Sequence, residues 1–467
     1  MRSDFAARHR REQNKKVTLR SKACSMLKAF TFALSALPVT VLAGTLDVDS
    51  KLSYQAAENL AVKKLSKSEL RFYNALSYQT DTDARFFLST RLRWNMSGQL
   101  EPGAPDQTAL SPLSDGRKIY DNYPFQFELR EAYFRDSLGE AGTLTLGKQQ
   151  VVWGQADGVT VLDIVNPMNY REFILEDPEE ARIPLWMANV VVPVGPFDMQ
   201  VLWIPDQTYT DFPNYNEGEF AIRSRRLIPQ APAGLGIPVN RRRAERPDRP
   251  VKDSDIGLAL TTSVESWDFS LNYMYHYNDA PFFESRLTFE NMGPVIEVRE
   301  RYERTHTVGA SASTSINDFV LRSELAHATQ RSVIDYDPNS ANGRFQTNET
   351  SYVIGLDYYG ITESVLSAQF YQSILGDTNA YLPRDKVDNI MTFLYRKDLM
   401  HQRDTFEAQW LTNLNDGDGL VRLEYASKLS KSLKATVGLD IFHGDPNGLF
   451  GQFHNNDRVQ VKLDYFF

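Results

Sequence analysis

The stretch Asn456-Asp-Arg-Val-Gln-Val-Lys-Leu-Asp-Tyr-Phe-Phe467 decides the fold. Val459, Val461, Leu463, Tyr465 and Phe467 fall on one side of an extended chain, and Arg458, Gln460, Lys462 and Asp464 on the other. Strict period-two alternation makes an apolar face and a wet face only in a strand. An aromatic edge strand of this kind on a soluble protein recruits other chains through its unpaired backbone. A closed membrane barrel has no such edge, because its last strand pairs with its first.

The same alternation recurs upstream. Trp267, Phe269, Leu271, Tyr273, Tyr275 and Tyr277 oppose Asp268, Ser270, Asn272, His276 and Asn278. Phe406, Ala408 and Trp410 oppose Glu407, Gln409 and Asn413, while Val421, Leu423 and Tyr425 oppose Arg422, Glu424 and Lys428. Further segments are read at 46–56, 69–80, 86–96, 124–136, 143–153, 186–194, 197–204 and 255–263, and at 304–315, 318–331, 349–359, 363–374, 388–400 and 433–444. Connections alternate between tight ones, such as Asn317-Asp318 and His401-Gln402, and longer ones, such as 332–348, 375–387 and 445–455. Short turns at one end and long loops at the other are the arrangement of outer-membrane barrels. The expected fold is all-β, an antiparallel transmembrane β-barrel of about 18 strands with long extracellular loops. About 16 strands is the alternative if one short hairpin lies outside the wall. Two positions interrupt the pattern: Glu131 continues the outward set of Phe125, Phe127 and Leu129, and Lys148 breaks the next strand. A bulge, or a ladder end above the hydrocarbon, explains both.

Composition agrees. Across 467 residues no apolar run reaches the length of a helical span, about 20 residues. A mean hydropathy of −0.41 is compatible with membrane strands, since half of each strand faces water. Aromatics make up 12% of the chain, enough for girdles at two interfaces. Residues 1–43 read as a leader and signal peptide, with an apolar core at 29–43 after Lys22 and Lys28 and small residues Val41 and Ala43 before the cleavage point; Met26 is an alternative start. Residues 44–467 are expected to form a single barrel domain. Cys24, the chain's one cysteine, goes with the leader, which excludes disulfides and thiolate chemistry from the mature protein. Losing the leader's nine Lys/Arg and two acids moves the net charge from −9 to −16, which argues against nucleic acid as a partner.

Two connections stand out. Residues 154–185 mix Val159, Val161, Leu162, Ile164, Val165, Phe173, Ile174 and Leu175 with dense charge, unlike a solvated loop. An inward-folded constriction and a structured extracellular cap both fit. Candidate constriction residues are Asp157, Asp163, Arg171, Glu172 and Arg182, facing Arg91 and Arg93 across the lumen. Opposed acids and arginines would set a transverse field favouring dipolar solutes; the plainer reading is that these charges pair with each other and hold the loop's shape. The long loop 206–253 carries Arg223, Arg225, Arg226, Arg241, Arg242, Arg243, Arg246, Arg249 and Lys252, a basic outer mouth centred on Arg241–Arg243 or simply a solvated loop. No catalytic constellation appears: His276, His306 and His327 read as lone wall residues, and no phosphate loop, zinc spacing or nucleophile elbow is present. No cofactor, metal or enzymatic activity is expected.

The run Leu146-Gly-Lys-Gln-Gln-Val-Val-Trp-Gly-Gln-Ala-Asp-Gly158, with Asp163-Ile-Val-Asn-Pro167, Tyr170-Arg-Glu-Phe173 and Arg182-Ile-Pro-Leu-Trp186, resembles a family of proteobacterial outer-membrane proteins of unknown function. The resemblance implies an outer-membrane barrel and names no substrate. The aromatic-ended last strand is likewise similar to the C-terminal signal of Gram-negative barrels, which implies engagement of the barrel assembly machinery through the strand ending at Phe467. The expected function is a porin-like channel for small solutes. The alternatives are a loop-plugged, non-conducting anchor or docking barrel, and a conduit for hydrophobic compounds or export. Expected partners are outer-membrane lipid, lipopolysaccharide and small solutes, with a homo-oligomer left open.

Overall fold

A computed structural model describes residues 44–97, 118–122, 124–212, 218–229, 236–242, 244–290 and 293–467. The leader at 1–43 lies outside the described residues. The chain divides into two units, Met1–Thr45 with Thr80–Thr82, and Leu46–Gln79 with Asp83–Phe467. The second is a barrel.

Among the described residues six strands precede the 154–185 segment: β1 (Gly44–Asn59), β2 (Lys64–Thr80), β3 (Arg85–Asn95), β4 (Lys118–Asn122), β5 (Phe125–Ser137) and β6 (Thr143–Gln149). Within that segment lies one helical turn, α1 (Pro178–Ala181). Next come β7 (Leu185–Val194), β8 (Phe197–Ile204), β9 (Val239–Arg241), β10 (Asp255–Val264), β11 (Trp267–Tyr277), β12 (Phe282–Glu290) and β13 (Gly293–Arg301). The regular half runs through β14 (Arg304–Ile316), β15 (Phe319–Ile334), β16 (Arg344–Tyr358), β17 (Ser364–Leu375) and β18 (Val387–Leu399). It ends with β19 (Asp404–Asn413), β20 (Asp418–Lys428), β21 (Leu433–His443) and β22 (Arg458–Phe466).

All of these except β4, β9, β12 and β13 pair in one antiparallel circuit, and β22 closes it on β1. The wall therefore has the eighteen strands that the alternation implies. At the seam Tyr54 faces Leu463 and Ala56 faces Val461, while Gln55 stands opposite Lys462 and donates to the Gln460 Oε1 at 2.6 Å. Register and face agree there, as they must when a one-residue slip would turn every apolar side chain inward. Burial is inverted relative to a soluble protein. Leu271, Leu356, Trp410 and Tyr465 are exposed on the outside, while Arg458, Asp440, Glu324 and Arg91 are buried within. Only a wall bathed in hydrocarbon is stable with that distribution.

The interruptions have structural causes. Ser89 pairs with Glu131 and Thr90 with Leu129, so Arg130 is a bulge. The extra residue returns Glu131 to the inner face while Leu129 stays outside. The strand read at 143–153 stops at Gln149, because the chain leaves the wall there. That exit strips the upper edge of β5 of its β6 partner, and β4 pairs with residues 125–128 instead, so the edge is not left open. Lys148 is buried with its Nζ on the Leu129 carbonyl at 2.9 Å. The region 279–303, outside the segments read as strands, holds the β12–β13 hairpin, with β9 added in parallel on β13. β12 sets Phe283, Ser285, Leu287 and Phe289 against Glu284, Arg286, Thr288 and Glu290, an alternation that the strand reading passed over, while Glu300 interrupts the apolar face of β13.

Candidate functional site

After Gln149 the β6–β7 connection packs against inward-facing wall side chains in two stretches of different chemistry. The first, 151–165, is keyed by apolar side chains. Val151, Trp153, Leu162 and Val165 form one buried cluster with Leu185, Met187, Leu202, Ile204, Ala259, Met274 and Ala326 of the wall. Two inward positions of the wall are glycine to receive it. A Cβ on Gly309 would lie 2.2 Å from Leu162 Cδ2, and one on Gly257 would lie 2.9 Å from the Trp153 ring.

Glu324, on the inner face of β15, fixes this stretch. One carboxylate oxygen accepts the amides of Gln155 (2.6 Å) and Ala156 (2.7 Å), the other those of Val161 (2.8 Å) and Leu162 (2.9 Å). Four amides on one buried carboxylate form a charge-assisted nest. Gly154 allows it, since its φ is +85° and a Cβ there would meet Glu324 Oε1 at 2.3 Å. Asn166 braces the base by accepting from the Val151 amide and donating to the Ile183 carbonyl.

The second stretch, 169–182, is held largely by charge. Arg171 bonds Glu69 of β2. Glu172 takes Lys67 and, at 2.9 Å, Arg458 of β22. Glu176 accepts from Arg71 at 3.0 Å and Arg93 at 3.1 Å. Glu180 accepts from Arg71 (2.8 Å), Tyr73 (2.6 Å) and Lys51 (2.9 Å). Burial alone would raise the Glu172 carboxyl, yet Lys67, Arg458 and Arg171 hold it well below the usual carboxylate range. Glu180 is lowered too, by Arg71 and Lys51 against its burial. Phe173, at a φ of +54°, inserts among Phe442, Phe450 and Phe453, and Phe220, Ile222 and Ile228 of the 206–253 loop join that cluster.

The sequence candidates therefore separate. Arg91, Arg93 and Arg171 meet in one buried lattice through Glu69 and Glu176, while Glu172 pairs separately with Lys67 and Arg458, each of the four candidates 2% exposed or less. Asp163 and Arg182 form their own pair at 2.8 Å, the Asp163 carboxyl pushed up by burial and drawn down by Arg182. Asp157 stands apart, with its side chain 75% exposed and 3.5 Å from Arg322 of β15. Of Arg241, Arg242 and Arg243, the Arg243 residue and the Arg241 side chain lie outside the described residues. Arg242 pairs with Glu297 and, at 3.6 Å, Glu290 of the hairpin. Arg226 of the same loop bonds Asp388 and Asp416.

Charge that stays in water lies elsewhere on the inner side: Asp157 and Asp177 on the connection, and Arg396 and Glu424 on β18 and β20, flanking Glu407 across the ladder. Sequence reasoning passed over Glu324, Glu176, Glu180, Lys67, Arg71 and Arg458. A signal existed for some of them, since Lys67, Glu69, Arg71 and Tyr73 alternate on one face and Glu172, Glu176 and Glu180 recur every fourth residue.

Comparison with known proteins fits this geometry. OccAB3 of Acinetobacter baumannii is similar over 91% of this chain and 99% of its own, at 10% identity and a TM-score of 0.50. OccK11 (OpdR) of Pseudomonas aeruginosa covers 90% and 95%, at 11% identity and 0.46. A mutant of the Rh. blastica porin covers 91% and 100%, at 14% identity and 0.38. At such identities the likeness is one of fold, a porin-like barrel. No curated protein sequence matches the chain. The family model described as "Protein of unknown function (DUF1302)" matches residues 95–388, more than half of the chain, and the chain belongs to that family.

Proposed function

We propose that the chain is an outer-membrane channel through which small polar solutes pass between the inserted β6–β7 connection and the inner wall of β15–β20. The observation that carries this reading is charge left in water beside the insert. Asp157 and Asp177 on the connection are 75% and 67% exposed at their side chains, and Arg396 on the wall is 50% exposed. A filled interior would have buried them, since charge stays this exposed only where water reaches it. The connection acts as a constriction: it occupies part of the lumen and sets acids against Arg322, Arg396 and Arg422, so width and field select what passes. In this reading the leader exports the chain, the assembly machinery inserts it through the strand ending at Phe467, and lipid and lipopolysaccharide surround it.

A loop-plugged docking barrel is the second reading, favoured by the apolar cluster of Phe173, Phe220, Phe442, Phe450 and Phe453, which resembles a small core. Single-channel recording in planar bilayers separates the two. Wild-type conductance that grows when residues 174–181 are deleted supports the channel. A silent wild type that conducts only after deletion supports the plug, and silence from both refutes the channel.

A further inference from the structure

The inner wall under Glu176 and Glu180 carries more positive charge than its own carboxylates neutralise. Lys51, Lys67, Arg71, Arg91, Arg93, Arg130 and Arg458 face inward there, against the wall acids Glu69, Glu128 and Asp440. The connection adds three carboxylates, Glu172, Glu176 and Glu180. Six of these cations, all but Lys51, are buried, which is tolerable only with partners, so this wall needs carboxylates from elsewhere.

The geometry at two of them is that of a recognition site. Glu176 Oε1 sits between Arg71 Nη1 (3.0 Å), Arg93 Nη2 (3.1 Å) and Arg91 Nη1 (3.6 Å). Glu180 spans Lys51, Arg71 and the Tyr73 hydroxyl. Planar guanidinium donors around a carboxylate are the arrangement that distinguishes carboxylates from simple anions. The internal occupants leave donors unused: Arg93 is 2% exposed, yet its Nε and Nη1 have no hydrogen-bond partner among the described residues, and neither do Glu69 Oε1 and Glu176 Oε2. The occupants sit on a short span. Leu175 and Ala181 are buried, and the five residues between them meet the wall chiefly through its cations, with Asp177, Pro178 and Glu179 exposed to water. The apolar keys and the Glu324 nest, which hold 151–165, do not depend on this contact.

We propose that this cationic wall is a carboxylate-binding site whose resting occupants are the chain's own Glu176 and Glu180, and that solutes bearing two or more carboxylates are the ligands that replace them. The site deepens the channel reading by naming a solute class, though binding itself does not require conduction.

Citrate serves as the probe. Calorimetry in detergent at low ionic strength compares wild type, Glu176→Gln/Glu180→Gln, and that double variant with Arg71→Gln/Arg93→Gln added. Unboiled gel migration confirms that each barrel is closed, and Glu180→Gln alone replaces the double variant if it is not. The expected result is citrate binding at least tenfold tighter in the double variant than in wild type, lost when Arg71 and Arg93 are also changed. Equal or absent binding in wild type and double variant overturns the site. The same proteins go into bilayers with citrate added. Binding without conductance leaves the site standing and refutes the channel. Conductance without binding does the reverse.

Discussion

Glu324→Gln tests the anchoring of the connection most directly. The substitution keeps size and shape but leaves one oxygen where there were two. That oxygen still accepts one pair of amides, either Gln155 and Ala156 or Val161 and Leu162, and the new NH2 group faces the other pair donor to donor. Two buried amides are then left without an acceptor, at about 1–3 kcal/mol each, or about 2–6 kcal/mol in all. With tenfold per 1.4 kcal/mol, opening of this stretch becomes about thirtyfold to twenty-thousandfold more frequent. Native-state hydrogen exchange of a peptide spanning 154–165 reads that opening, because exchange there proceeds through local release of the stretch. The wall strands serve as the internal control, since β15 keeps its ladder with β14 and β16. Exchange at 155, 156, 161 and 162 within about threefold of wild type would refute the claim that the Glu324 carboxylate holds the loop.

Two further outcomes follow from the same contacts. Gly309→Ala places a methyl group on the Leu162 side chain, so Leu162 must withdraw from its socket, at about 1–3 kcal/mol for overpacking; faster exchange at 159–165 with unchanged wall protection is expected, and no change would show the socket to be loose. The charged stretch is expected to resist acid. The Glu172 and Glu180 carboxyls lie below their ordinary values in the folded chain, so their contribution is fully present above the unfolded value of about 4.3 and is lost only as pH falls through the lower folded values. Exchange across 169–182, corrected for intrinsic rate, should stay flat from about pH 7 to pH 4 and rise only in stronger acid; a loosening centred near pH 5 would contradict these ion pairs.

The wall was legible in the sequence because each strand states its own two faces. Trp267 to Tyr277 shows the outer set without knowledge of any neighbour, and the misfit of Glu131 pointed to a bulge or a ladder end, of which the structure shows the bulge, at Arg130. Apolar sides must meet lipid and polar sides must not, so period two fixes face, strand number and closure together. The β12–β13 hairpin shows that alternation alone does not tell wall from loop: β12 alternates as a wall strand does, yet it lies in a separate sheet.

The partnership of the connection belongs to the tertiary structure alone. Arg171 meets Glu69 across 102 positions of sequence, and Glu172 meets Arg458 across 286. A charge in a linear pattern declares that it needs a partner but not which one, since Coulomb attraction depends on distance in space. Glu324 shows this most sharply. Its place in β15 announces one more inward polar residue, and only the folded chain brings four amides of a distant loop onto its carboxylate. Periodicity determined the barrel, while closure of that barrel in three dimensions decided what its interior holds.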